Sequence, residues 1–181
     1  VPLIGENRIL TYVGLQVINS NPRLGLHCLL QNNNKKEFNV GDLMFYVGPR
    51  INAAGRMDHA SLALELLLEK ELDKGKKLAE KIEELNIQRR EIEKNITEQA
   101  LKKIDNENKL NSNSTIVFEN SWYKGVIGIV ASRLIEKHYK PTIVFCKSKD
   151  GNLTGSARSI KDVDLYKILE KCKANILKFG G

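Results

Sequence analysis

The sequence has 181 residues, 41% hydrophobic and 28% charged, a balance that supports a buried core and argues against a disordered or low-complexity chain. Its 29 Lys and Arg against 22 Asp and Glu leave a formal charge of +7, which suggests a polyanionic partner without identifying it. No apolar run reaches the ~18–20 residues of a membrane span. Cys28, Cys146 and Cys172 form no CxxC pair, which argues against a zinc finger or a disulfide framework and fits a reducing cytoplasm.

Residues 1–57 alternate short apolar stretches with turn signals. Ile9, Leu10, Val13, Val17 and Ile18 recur at helical spacing, and Asn19-Ser20-Asn21-Pro22 stops that helix. After a polar loop at Asn32-Asn33-Asn34-Lys35-Lys36, a short helix is expected over 40–47. It should end before Gly48-Pro49, because proline disfavours helical geometry in the residue before it. Leu62, Leu66 and Leu67 then open a charged helical region in which Gly75 is expected to mark a break. From about Lys76 to Asn106, Leu78, Ile82, Leu85, Ile92, Ile96, Ala100 and Ile104 form one narrow stripe among charged residues. So polar a helix lies across a surface or bridges two domains. Arg89 falls in the stripe and weakens a coiled-coil reading. From Ser114 the pattern is α/β: a strand at 115–118, a helix at 126–136, a strand at 141–145, a turn at Asp150-Gly151-Asn152, a strand at 153–159 and a closing helix with Leu165, Ile168, Leu169, Cys172 and Ile176. Val1-Pro2 at one end and Gly180-Gly181 at the other read as cut ends, so an internal piece of a longer protein is expected.

Three strings carry chemistry. In Gly48-Pro49-Arg50-Ile51-Asn52-Ala53-Ala54-Gly55-Arg56-Met57, two arginines flank small residues. Arginine's planar fork matches phosphate oxygens, and Asn52 adds a neutral donor; a domain-edge turn with solvated arginines explains the string equally well. In Gly155-Ser156-Ala157-Arg158-Ser159, hydroxyl, guanidinium and backbone donors can make an anion pocket, the alternative being a polar strand end. In the stretch from Trp122 to Arg133, Gly125 and Gly128 open a helix that could face an anion, although close helix–sheet packing is the simpler account of both glycines. No group of Asp and His residues has the makings of a two-metal phosphoesterase site. Asp58-His59 stands alone, and Asp162 and Asp164 read as helix-start residues.

Six strings in order resemble the RecJ-like branch of the DHH phosphoesterase family. Pro2 to Arg8 is similar to PLxGENR, Asn21 to Leu26 to NPRPGL, and Gly48 to Met57 to GPRINAAGRM. Trp122 to Arg133 is similar to WHxGVIGIVASR, with Tyr123 in place of the His, Gly155 to Ile160 to GSGRSI, and Phe179-Gly180-Gly181 to the start of FGGH. The resemblance implies an α/β protein of two lobes joined by a long charged helix: residues 1–57 the C-terminal part of a DHH catalytic domain, 58–109 a helical connector, and 110–181 a DHH-associated mixed-sheet domain truncated at its C-terminal end. It implies a parent enzyme that removes 5′-terminal nucleotides from single-stranded DNA in recombination and repair, using Mn²⁺ or Mg²⁺. The metal-holding motifs would lie upstream, so no catalytic residue, no metal ligand and no activity are expected of this chain alone. Arg50, Asn52, Arg56, Ser156, Arg158, Gly180 and Gly181 would grip DNA or its phosphates. Single-stranded DNA is the implied partner, with a single-strand-binding protein or a helicase as implied protein partners, no membrane, and a cytoplasmic location. The rival readings are a non-catalytic nucleic-acid-binding module, or the DHH-associated domain of an alanyl-tRNA synthetase or a small-nucleotide phosphodiesterase. PLIGENR and GPRINAAGRM speak against the latter.

Overall fold

The computed structural model describes residues 2–31, 33, 35–106, 112–148 and 150–180. The chain divides between Arg89 and Arg90 into two compact units.

In the first unit, α1 (Gly5–Ser20) follows the expected spacing and ends at Asn21, whose N–H donates to the Val17 carbonyl. Ile18 packs against the unit's core, whereas Ile9, Leu10, Val13 and Val17 are exposed. Next come α2 (Leu24–Leu30), a helical run through α3 (Val40–Asp42), a π-turn (Leu43–Val47) and α4 (Gly48–Met57), then α5 (Ser61–Leu68) and the first half of α6 (Leu72–Asn106). Cys28, Leu29, Leu30, Val47, Ala54, Leu62, Leu66 and Ile82 make the core.

Two expectations are corrected here. The helix expected to stop before Gly48-Pro49 continues to Met57. The Gly48 N–H donates to the carbonyl of Leu43, five residues back. One turn is thereby widened just ahead of Pro49, which relieves the clash between a proline ring and the carbonyl below it. The run starts at a capping box: Asn39 Oδ1 accepts from Asp42 N at 3.2 Å, and Asp42 Oδ2 accepts from Asn39 N at 3.0 Å. Lys35 Nζ holds the other carboxylate oxygen at 2.5 Å. Gly75 does not break a helix either. It is buried within α6, where a Cβ would lie 3.1 Å from Cys28 Sγ, and the break falls at residues 69–71.

The second unit begins with the rest of α6. Ile96, Ala100 and Ile104 are buried at the spacing the stripe predicts, as is Ile82 in the first unit, with Leu78, Leu85 and Ile92 half-buried. The stripe turns polar at Asn86, Arg89 and Glu93, where Asn86 Oδ1 accepts from Arg89 Nη2 at 3.0 Å. Beyond the helix, β1 (Thr115–Phe118) pairs in parallel with β2 (Thr142–Lys147), and β2 pairs antiparallel with β3 (Leu153–Arg158). The helix α7 (Ile127–His138) links β1 to β2, and α8 (Leu165–Lys171) follows β3. A short 3-10 turn at Lys173–Asn175 takes up the end of the expected closing helix. β1 and β2 are rich in β-branched and aromatic residues with alternating burial. Thr115, Val117, Thr142, Val144 and Cys146 face inward with Val126, Ile127, Val130, Ala131 and Leu134. Trp122 is buried, and its Nε1 donates to Gln99 Oε1 at 2.8 Å. Arg133 Nε reaches Glu93 at 3.1 Å and Lys103 Nζ reaches Glu119 at 2.8 Å, so three polar contacts pin this half of α6 to the sheet layer.

The β2–β3 turn forms where Asp150-Gly151-Asn152 predicts it. Gly151 has φ +86°, its N–H donates to the Ser148 carbonyl at 3.0 Å, and Ser148 N donates to Asn152 O at 2.8 Å. That closure sets the register Thr142↔Arg158, Val144↔Ser156 and Phe145↔Gly155.

Candidate nucleic-acid interface

On a strand, residues two apart share a face, so Ser156 and Arg158 point the same way. Their register partners, Val144 and Thr142, are buried, so the two side chains lie on the face that α7 covers. Arg158 Nη1 lies 3.4 Å from Ser156 Oγ and donates to the Ala157 carbonyl at 2.8 Å. The pair meets α7 at Gly128, where an added Cβ would stand 2.9 Å from Ser156 Oγ and 3.2 Å from Arg158 Nη2. Val126, the N-cap of α7, makes no side-chain capping bond.

Asp164, an acid close to Arg158 in sequence, is engaged elsewhere. Asp164 Oδ1 caps α8 by accepting from Lys167 N at 3.0 Å, and its Oδ2 pairs with Lys167 Nζ at 3.1 Å. Among the described residues, no carboxylate stands within 4.0 Å of the Arg158 guanidinium. A guanidinium held by its own strand, beside a hydroxyl and facing no acid, has donors to spare for an anion.

Gly155, although part of the same string, does not open onto that pocket. It points to the opposite face, where a Cβ would lie 2.6 Å from Phe145 Cε1. The ring of Phe145 covers it across the register pair. Its smallness serves the hairpin, not the approach of a phosphate.

In the first unit the signature string lies on α4, so its residues divide between helix faces. Ala53 and Ala54 are buried and Arg50 is half-buried beside them. Arg50 Nε forms an ion pair with Glu83, its Nη1 donates to the Tyr46 carbonyl at 2.8 Å, and its Cζ stands 3.5 Å from the Tyr46 ring centroid. Asn52 and Arg56, four residues apart, are exposed on another face with Gly55 between them. Thus α4 presents two of the three expected polar residues together and turns the third to α6. Tyr46 lies four residues before Arg50, a helical neighbour that the sequence hides because proline predicts an end between them. Glu83 is 33 residues away and has no local signal.

Gly180 is exposed, and the preceding Phe179 packs on Tyr166 with ring centroids 5.2 Å apart. Gly181 lies outside the described residues. Among the described residues, no three of His, Cys, Asp and Glu gather where they could hold a metal ion, so these residues do not fit one. Burial pushes the Cys28 and Cys146 thiols up, against the pull of Lys76 and Lys124, which makes both poor nucleophiles. No helix among the described residues is long and apolar enough to cross a membrane.

Residues 111–181 match the DHHA1 domain. The single-stranded-DNA-specific exonuclease RecJ of Haemophilus influenzae is 40% identical, over all of this chain and 33% of the relative. Two crystal structures of RecJ from Thermus thermophilus have the same fold along the whole chain. The complex with Mn²⁺ gives a TM-score of 0.88 at 28% identity over 26% of its length, and the complex with Mg²⁺ gives 0.86 at 27% over 28%. The chain therefore spans about a third of the length of the curated relatives it matches. Similarity along the whole chain, a DHHA1 match over residues 111–181 and a common fold make RecJ proteins the relatives that this chain resembles.

Proposed function

We propose that this chain supplies the DNA-gripping surface of a longer 5′-to-3′ single-strand-specific exonuclease of recombination and repair, acting in the cytoplasm. The observation that carries the proposal is the Ser156–Arg158 pair, two phosphate-type donors held on one strand face with no acid among the described residues beside the guanidinium. A phosphate there gains charge-assisted hydrogen bonds without first displacing a carboxylate. In this reading residues 1–57 close a DHH catalytic domain, 58–109 connect, and the DHHA1 domain follows. Asn52 and Arg56 contact the DNA backbone from the exposed face of α4, Arg50 fastens α4 to α6, and Gly180 and Gly181 allow a strand to pass close by. The Mn²⁺ or Mg²⁺ of the solved relatives, and the hydrolysis, are assigned to parts of the longer protein that this sequence does not include. A single-strand-binding protein and a helicase are proposed protein partners of that whole enzyme.

The direct test is the affinity of the 181-residue chain for oligothymidylate carrying a 5′-phosphate or a 5′-hydroxyl, read by fluorescence anisotropy. Tighter binding of the phosphorylated strand, weakened by salt, supports the proposal. Equal affinity for single-stranded and duplex DNA without regard to the 5′ end supports a general nucleic-acid-binding module instead.

A further inference from the structure

We propose that Gly128 is a positioning residue for the Ser156–Arg158 anion site, because its missing side chain makes the room in which those two polar ends are held. The inference rests on the phosphate-binding reading of that site. Sequence alone offers close helix–sheet packing as the reason for this glycine, and packing would place apolar or backbone atoms around its Cα. The structure places there Ser156 Oγ, at 2.9 Å from an added Cβ, and Arg158 Nη2, at 3.2 Å, with Ser156 Cβ next at 3.7 Å. Both nearest atoms are the free ends of side chains. A methyl group at residue 128 would push the hydroxyl and the guanidinium away from α7, while the backbones of α7 and β3 need not move. The glycine therefore bears on the geometry of the site far more than on the stability of the fold.

That difference separates a positioning role from a packing role. In the 181-residue chain, Gly128→Ala should leave the melting temperature unchanged or raise it, since alanine is the better helix former. The same variant should lose the preference for 5′-phosphorylated over 5′-hydroxyl oligothymidylate, down to the level of Arg158→Ala. Amide chemical shifts should change at residues 127–130 and 155–159 and stay put elsewhere, which confirms that the variant is folded. A fall in melting temperature with the 5′-phosphate preference intact overturns the proposal in favour of packing. If Arg158→Ala abolishes the preference and Gly128→Ala keeps it, the site stands and the role of Gly128 is refuted. If the unaltered chain shows no preference, the phosphate reading fails and takes this inference with it.

Discussion

The ring of Phe145 lies across the α-carbon of Gly155, so close that a Cβ on residue 155 would come within 2.6 Å of the ring edge. The two residues are register partners on β2 and β3, on the sheet face opposite Ser156 and Arg158. An aromatic ring folded over a strand glycine takes the place of the missing side chain. Gly155→Ala should therefore destabilise the chain by about 1–3 kcal/mol, the usual cost of forcing extra volume into a packed contact. Phe145→Leu should recover part of the loss in the double variant. Thermal or urea melts of the four chains decide it, and additive losses would show that the ring and the glycine do not depend on each other.

Arg158→Ala should weaken binding of 5′-phosphorylated single strands by about 1.5–3 kcal/mol, the weight of a charge-assisted hydrogen bond. The loss should be smaller on 5′-hydroxyl DNA. Because no carboxylate pairs with Arg158 among the described residues, its removal should leave the melting temperature within a degree or so of the unaltered chain. Equal losses on both substrates would reduce Arg158 to a general backbone contact.

Arg50 should show the reverse pattern. Its partners are Glu83, the Tyr46 carbonyl and the Tyr46 ring, all within the first unit. Arg50→Ala should cost roughly 1–3 kcal/mol of stability, since it leaves a half-buried carboxylate without its partner. A double-mutant cycle with Glu83→Gln should reveal coupling of about 1 kcal/mol. An unchanged melting temperature with weakened DNA binding would return Arg50 to the phosphate contacts.

Acid should loosen the first unit through Asp42. The Lys35 ammonium and the Asn39 N–H hold its carboxyl below the ordinary carboxylate range. A group whose pKa falls on folding lets the unfolded chain bind more protons in acid. The stabilisation is complete above the unfolded value and disappears as pH drops through the lower folded one. The melting temperature should accordingly fall below about pH 4, and Asp42→Asn should flatten that part of the curve. A variant with the same acid sensitivity would assign the fall to other carboxylates.

Incubated with 5′-phosphorylated single-stranded DNA and Mn²⁺, the 181-residue chain should release no nucleotides above a protein-free control. The described residues assemble no metal-holding group, and hydrolysis by this chemistry needs one. Release that depends on the ion and on this chain would place a catalytic centre within it.

Residues that act through local periodicity are legible in the sequence itself. The stripe on α6 predicts Ile82, Ile96, Ala100 and Ile104 as buried, and they are. Strand spacing puts Ser156 and Arg158 on one face, and Asp150-Gly151-Asn152 marks the turn that sets their register. The ordered motifs carry the resemblance to RecJ proteins, because six strings in sequence carry more information than any single one. Tertiary structure alone decided what each small or charged residue touches. Proline at residue 49 predicts a helix end, yet a π-turn one step earlier lets the helix through and turns Arg50 toward Tyr46 and Glu83. Gly155 and Gly128 read alike as small residues of candidate anion-binding strings. One makes room for a ring and the other for two polar side chains, because the neighbours that fill the space beside a glycine come from β2 in one case and β3 in the other. Helix and strand periods follow from a residue's own backbone geometry and can be counted along the chain. The partner of a guanidinium, or the occupant of the space beside a glycine, depends on which distant segment folding brings alongside, and no local spacing records it.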